Sequence, residues 1–162
     1  MSVQEYVKEL AASAKRASAQ VASSPVSVRD TALDSVAEQI QLQRGCLLEA
    51  NQLDLANAST TGLDSALVDR LELNEGRIDA MLASLAVVRA LPDPIGGIED
   101  LRFMTSGIQV GKMRVPLGLI GIIYESRPNV TVDAASLCLK SGNAVLLRGG
   151  SEAIESNRVL AT

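Results

Sequence analysis

The sequence predicts an α/β fold: a run of N-terminal helices, a β-hairpin excursion, then one strand–helix–strand–helix unit of a Rossmann-type parallel sheet. Three observations carry this. Apolar residues recur at helical spacing up to about residue 90. The period changes after Gly96-Gly97. Two short runs, Leu119-Ile120-Gly121-Ile122-Ile123-Tyr124 and Ala144-Val145-Leu146-Leu147, are apolar on both parities, as strands covered on both faces are.

In order, Ser2-x-x-Glu5 has the form of a capping box, and Val3, Tyr6, Val7, Leu10, Ala14, Ala17 and Val21 follow at helical spacing. Ser23-Ser24-Pro25 ends that helix. Ser27 is the expected N-cap of the next, with Leu33, Val36, Ala37 and Ile40 as its apolar stripe. Helical patterning continues through Leu47, Leu48 and Leu55, bends near Gly45, and stops within Asn57–Gly62. A third long helix starts near Asn74, faces the core with Ile78, Met81, Leu82, Leu85 and Val88, and ends at Pro92-Asp93-Pro94. Ile98 to Val115 reads as two strands turning at Ser106-Gly107, with a bulge around Gly111-Lys112 to reconcile their faces. After the strand at Leu119, Glu125 to Asn129 is a polar loop, and Val130 to Ser141 a helix closed by Gly142-Asn143. The second strand leads through Arg148-Gly149-Gly150-Ser151 into a helix from about Glu152. That helix breaks off at Leu160-Ala161-Thr162 without a cap, and two strands cannot shield a sheet. The chain therefore reads as part of a larger domain.

Composition narrows the function. The formal net charge is −4, and the aromatic residues are Tyr6, Phe103 and Tyr124, so neither a basic field for nucleic acid nor a stacking platform for single strands is expected. The absence of His removes the commonest general base and zinc ligand, and no metal site is expected. Cys46 and Cys138 form no C-x-x-C motif and both sit in helical, apolar surroundings. Both read as core residues rather than as nucleophiles. Met1-Ser2-Val3-Gln4-Glu5 lacks the features of a secretory signal and no apolar run is long enough to cross a bilayer, so a reduced cytoplasmic protein without membrane partners is expected.

The chemistry is expected at the loops after the two parallel strands. Strand-end loops of a parallel sheet emerge at one carboxyl edge, where ligands bind. Glu125-Ser126-Arg127-Pro128-Asn129 and Arg148-Gly149-Gly150-Ser151-Glu152 should therefore be neighbours, each before a helix N-terminus that favours an anion. Each holds one Arg, suited to bidentate contact with phosphate or carboxylate. Asn129 adds an amide donor for a developing oxyanion. Plainer roles compete: Ser151 as an N-cap, Gly149-Gly150 as a tight turn, and each Arg as a surface salt-bridge partner. Glu125 has no visible partner for general-base work. Neither G-x-G-x-x-G nor G-x-x-x-x-G-K-[ST] occurs.

From Val115 to Thr131 (VPLGLIGIIYESRPNVT) and from Leu139 to Ala153 (LKSGNAVLLRGGSEA), the sequence resembles the γ-glutamyl phosphate reductase family of the aldehyde dehydrogenase superfamily. Asp69-Arg70-Leu71 and Leu91-Pro92-Asp93-Pro94-Ile95-Gly96 fit the same pattern. The resemblance implies NADPH-dependent reduction of L-glutamyl 5-phosphate to L-glutamate 5-semialdehyde with release of phosphate, a step of proline biosynthesis. It places Arg148, Gly149, Gly150, Ser151 and Glu152 at the NADP(H) cofactor, with Arg148 near the 2′-phosphate. It places Arg127 at the substrate phosphate or carboxylate and Asn129 at the oxyanion, with Ser126 as a further oxyanion or substrate contact. It divides the chain into a helical part of the cofactor domain (1–97), a strand excursion used for homo-oligomerisation (98–115) and the start of the NADP-binding sheet (116–162). The family's nucleophilic cysteine matches neither Cys46 nor Cys138, so this stretch alone is expected to be inactive. Glutamate 5-kinase is an expected functional associate. Two alternatives stand: the reductase half of a bifunctional pyrroline-5-carboxylate synthase, and a non-catalytic nucleotide- or phosphate-binding or assembly module.

Overall fold

A computed structural model describes residues 1–161. Helix α1 (Val3–Ser23) starts at the expected capping box: the Ser2 hydroxyl accepts from the Glu5 N–H, and the Glu5 carboxylate accepts from the Ser2 N–H. Its apolar stripe is not buried as expected. Val3, Tyr6, Val7 and Leu10 are exposed, because α1 packs against the later strand pair mainly through its C-terminal half, where Ser18 is buried.

Helices α2 (Val26–Leu42) and α3 (Arg44–Thr61) are almost continuous, parted at Gln43 two residues before the expected bend at Gly45. Ser27 is not the N-cap of α2. Pro25 occupies that position, and its carbonyl accepts the Val28 and Arg29 N–H groups, so Ser27 already lies inside the helix. Leu33 and Ile40 are buried, whereas Val36 is exposed at the edge of the stripe. Gly62, in the left-handed region at φ 69°, caps α3. Helix α4 (Ser65–Leu71) is an element the periodicity missed, since seven residues are too few to establish it; Asp64 caps it by accepting from the Ala66 N–H. Helix α5 (Glu75–Ala90) begins beside Asn74, as expected, with the Asn74 amide oxygen capping it by accepting from the Arg77 N–H; it buries Ile78, Met81, Leu85 and Val88, with Leu82 half-buried beside them.

These helices close one core, in which Leu33, Ile40, Leu47, Leu73, Ile78, Met81, Leu85 and Val88 meet Val132 of the following helix. A fully buried side chain of this size contributes about 1.5–3 kcal/mol. Polar side chains tie the layer from within. Buried Arg29 donates to the Lys140 carbonyl (2.8 Å) and to Asp93 (2.6 Å), and buried Lys140 donates to Asp30 (2.6 Å) and to the Arg89 carbonyl (2.7 Å).

Strands β1 (Ile98–Phe103) and β2 (Gln109–Met113) form the antiparallel hairpin, exposed along its whole length. The bulge falls on the other strand from the one expected. Asp100 and Leu101 together oppose Gly111, and Asp100 takes φ 55°. A Cβ on Gly111 would lie 2.9 Å from Leu101 Cδ1, so the bare glycine leaves room for the bulged strand.

Strands β3 (Leu119–Ile123) and β4 (Ala144–Arg148) pair in parallel, Leu119 opposite Ala144 through Ile123 opposite Arg148. Between them runs α6 (Pro128–Lys140), whose last turn closes with the Asn143 N–H on the Cys138 carbonyl and the Gly142 N–H on the Leu139 carbonyl. Gly142 is at φ 73°, and a Cβ there would meet Ile95 at 2.5 Å. Asn143 then accepts from the Gly118 N–H at 2.8 Å, which sets the strand register. A short 3-10 turn (Ser151–Ala153) leads into α7 (Ile154–Leu160). The strands are less buried than their sequences predict: Ile123 is 74% exposed, because β3 and β4 pair only with each other among the described residues. No helix of the described residues is long and apolar enough to cross a membrane.

Candidate functional site

The parallel register brings the two predicted loops to one edge. Past the last paired residues, the Tyr124 N–H still donates to the Arg148 carbonyl at 3.1 Å. From there the loops are latched together. Ser126, buried and at φ 44°, directs both its N–H (2.6 Å) and its hydroxyl (2.7 Å) onto one carboxylate oxygen of Glu152. Burial pushes the Glu152 carboxyl up, but the Ser126 hydroxyl and the backbone N–H groups of Glu152 and Ser126 outweigh it and hold the group below its ordinary range. A second chain of bonds runs alongside, with the Tyr124 and Thr131 hydroxyls 2.5 Å apart and Thr131 donating to Asn157 at 2.8 Å. Gly149 and Gly150 lie under these groups: a Cβ on Gly149 would collide with the Asn157 amide, and one on Gly150 with the Glu152 carboxylate.

Four expectations need correction here. Asn129 is not in the loop. With Pro128 at the first helical position α6 begins early, and Asn129 sits in its first turn, donating to Asp133 at 3.1 Å. Ser151 is not an N-cap; it lies in the 3-10 turn, which has no side-chain cap. The helix after β4 offers no free N-terminus to an anion, because Asp54 of α3 already occupies it. Its carboxylate accepts from the Glu155 N–H (3.1 Å), the Ser156 N–H (2.8 Å) and the Ser156 hydroxyl (2.7 Å). Asp54 is 1% exposed, and Asn51 completes the network by donating to Ser156 and to the Leu71 carbonyl. Finally, Cys46 is exposed on the outer side of α3, since Leu47, Ala50, Asn51 and Asp54 take the inner side. Cys138 is buried as expected, and desolvation pushes its thiol up.

The Arg127 and Arg148 side chains are exposed, and neither guanidinium makes a hydrogen bond or ion pair among the described residues. They face different surroundings. Arg148 stands at the open end of β4 beside Gly149 and Ser151. Arg127, the N-cap of α6, lines a cavity of about 410 Å³ together with Asn129, Asp133, Arg70, Arg77 and Ser84. The loop reading missed Arg70, Arg77, Ser84 and Asp133. The Asp69-Arg70-Leu71 motif was a pointer to the first, but nothing local links α4 or α5 to the start of α6.

The architecture is that of the aldehyde dehydrogenases: the NAD-dependent benzaldehyde dehydrogenase of Corynebacterium glutamicum superposes with a TM-score of 0.66 over 91% of this chain and 31% of its own, at 20% identity. Much greater similarity is found to the γ-glutamyl phosphate reductase of Thermotoga maritima, 42% identical with a TM-score of 0.88, and to that of Saccharomyces cerevisiae, 32% identical with a TM-score of 0.90. Each match covers 94% of this chain. In both sequence and fold, the chain is similar to a part of these γ-glutamyl phosphate reductases. It spans 37% and 39% of the length of those two proteins. No protein-family model matches it.

Proposed function

We propose that this chain is the amino-terminal part of an NADPH-dependent reductase of L-glutamyl 5-phosphate, supplying one end of the cofactor site and one wall of the substrate site. The observation that carries the reading is the pair of unpartnered guanidinium groups, Arg127 and Arg148, on one sheet edge in a chain 42% identical to such a reductase. Bound NADPH would supply a hydride to the acyl carbon. Of the cofactor-loop residues, Arg148 and Ser151 are free to hold a phosphate, and the bare backbone of Gly149-Gly150 permits close approach. Glu152 has a different part: bonded to Ser126, it joins the cofactor loop to the substrate loop rather than offering a free carboxylate. Arg127 and Asn129 meet the substrate. Turnover needs a thiolate from elsewhere in the enzyme, because Cys138 is buried and Cys46 is remote, on α3.

The hairpin supports homo-oligomerisation on the same reading. Ile98, Leu101, Phe103, Ile108, Val110 and Met113 are all exposed, and its edges carry unpaired backbone groups that a second copy can extend.

NADPH titrated against the chain and against Arg148→Ala tests the cofactor loop. The reading expects about a tenfold loss of affinity, the scale of one charge-assisted phosphate contact. An unchanged dissociation constant would refute it and favour an assembly module.

A further inference from the structure

We infer that Ser126 is a positioning residue for cofactor selectivity: by holding the Glu152 carboxylate against the substrate loop, it leaves Arg148 open to a phosphate and favours NADPH over NADH. This rests on the proposed reading of Arg148 as a contact for the cofactor's phosphate, and names what keeps that guanidinium available.

The loop after β4 carries a cation and an anion four residues apart, Arg148 and Glu152, with Gly149 and Gly150 between them. Neither glycine has a side chain to screen one charge from the other. In so short a loop a free Glu side chain can fold back onto the nearest guanidinium. That pairing would neutralise Arg148 and set a like charge beside any phosphate that approached it.

In the fold the pair does not form. The Arg148 guanidinium has no partner among the described residues. The Glu152 carboxylate lies over Gly150, where an added Cβ would collide with both of its oxygens. One of those oxygens accepts two bonds from a single residue of the other loop, the Ser126 N–H at 2.6 Å and the Ser126 hydroxyl at 2.7 Å. Ser126 is buried and takes φ 44°, a left-handed backbone that costs free energy in any residue with a Cβ. In that conformation its main-chain and side-chain donors meet the same oxygen. Against the desolvation that raises it, these bonds hold the Glu152 carboxyl below its ordinary range, so the group is a full negative charge at neutral pH.

Where that charge is held therefore decides what the loop presents to a cofactor. NADPH differs from NADH only in its 2′-phosphate, which carries most of two negative charges. A carboxylate released toward Arg148 would oppose the first nucleotide and leave the second nearly untouched.

The test is calorimetric titration of the full chain and its variants with NADPH and with NADH. The unmodified chain is expected to bind NADPH at least about tenfold more tightly. Ser126→Ala should weaken NADPH binding about fivefold and leave NADH within about twofold. Ser126→Gly, which loses the same hydroxyl without the strained backbone, should do the same, and thermal midpoints show that each variant folds. Adding Glu152→Gln to Ser126→Ala should restore NADPH affinity, because the released side chain no longer carries a charge. A merely structural role for Ser126 would weaken both nucleotides alike and would not be rescued in this way. An equal loss for both, no loss for NADPH, no NADPH preference in the unmodified chain, or a double variant no better than Ser126→Ala would overturn the assignment. Arg148→Ala titrated alongside separates the two readings. A loss of NADPH affinity there, with none in Ser126→Ala, sinks the Ser126 assignment alone, whereas an unchanged affinity in Arg148→Ala sinks the cofactor loop and this inference with it.

Discussion

The loop after β3 and the loop after β4 have nearly the same sequence grammar: a strand, an Arg, a residue or two of special backbone, and a helix. In the fold they end up unlike. The first runs into α6, a long helix whose N-cap Arg127 faces a cavity and has no internal partner. The second runs through a 3-10 turn into α7, whose first N–H groups are already held by Asp54 from a helix some hundred residues earlier. An unsatisfied helix N-terminus is a local promise of an anion site, and any carboxylate that the fold delivers there can claim it first. At the second loop the binding capacity rests with the Arg148 and Ser151 side chains.

The comparison breaks most directly at Asp54. Replacing it with Ala leaves the buried Ser156 N–H and hydroxyl and the half-buried Glu155 N–H without their acceptor, and should cost about 3 kcal/mol in urea denaturation. A loss below about 1 kcal/mol would mean that α7 does not depend on this cap. Next is Gly150→Ala, whose methyl group takes the place of the Glu152 carboxylate and should cost about 2 kcal/mol by forcing it off Ser126. If Ser126 and Glu152 stayed bonded in a structure of that variant, the glycine would have another purpose.

Ser126 itself sharpens the picture. Ser126→Ala forfeits the hydroxyl bond to Glu152 and should cost about 1 kcal/mol, while Ser126→Gly forfeits the same bond but relieves the left-handed backbone at φ 44°. The glycine variant should therefore be the more stable of the two, and the reverse order would show that the backbone is not strained. The smallest effect is in pH. Glu152 titrates lower folded than unfolded, so its contribution is complete above about pH 4.3 and fades as pH falls through the folded value. Glu152→Gln should flatten that part of the stability–pH curve, as read from thermal midpoints in mildly acidic buffers.

Much of the fold was legible because its signals are local. The Ser2–Glu5 box, the helix start near Asn74, the Gly142-Asn143 closure and the Pro92 stop each need only neighbouring residues to be understood. The pairing of β3 with β4 followed from two apolar runs separated by one helix. What failed was of another kind. Ser27 lost its capping position to a proline two residues before it, and the bulge moved to Asp100 because only the paired strands reveal which chain has room beside Gly111. Cys46 and Val36 were misplaced because a helical stripe has edges, and the neighbours decide which edge is covered.

By itself, then, the amino-acid order determined the helices, the turns, the parallel strand pair and the two arginines at its rim, since spacing and backbone preference act over a few residues. Tertiary structure alone decided which charges stay available. Asp54 reaches α7, Glu152 closes onto Ser126, and Asp133 comes to line one cavity with Arg70. The physical reason is that a charge's free energy depends on every group within a few ångströms, and those groups come from distant parts of the chain.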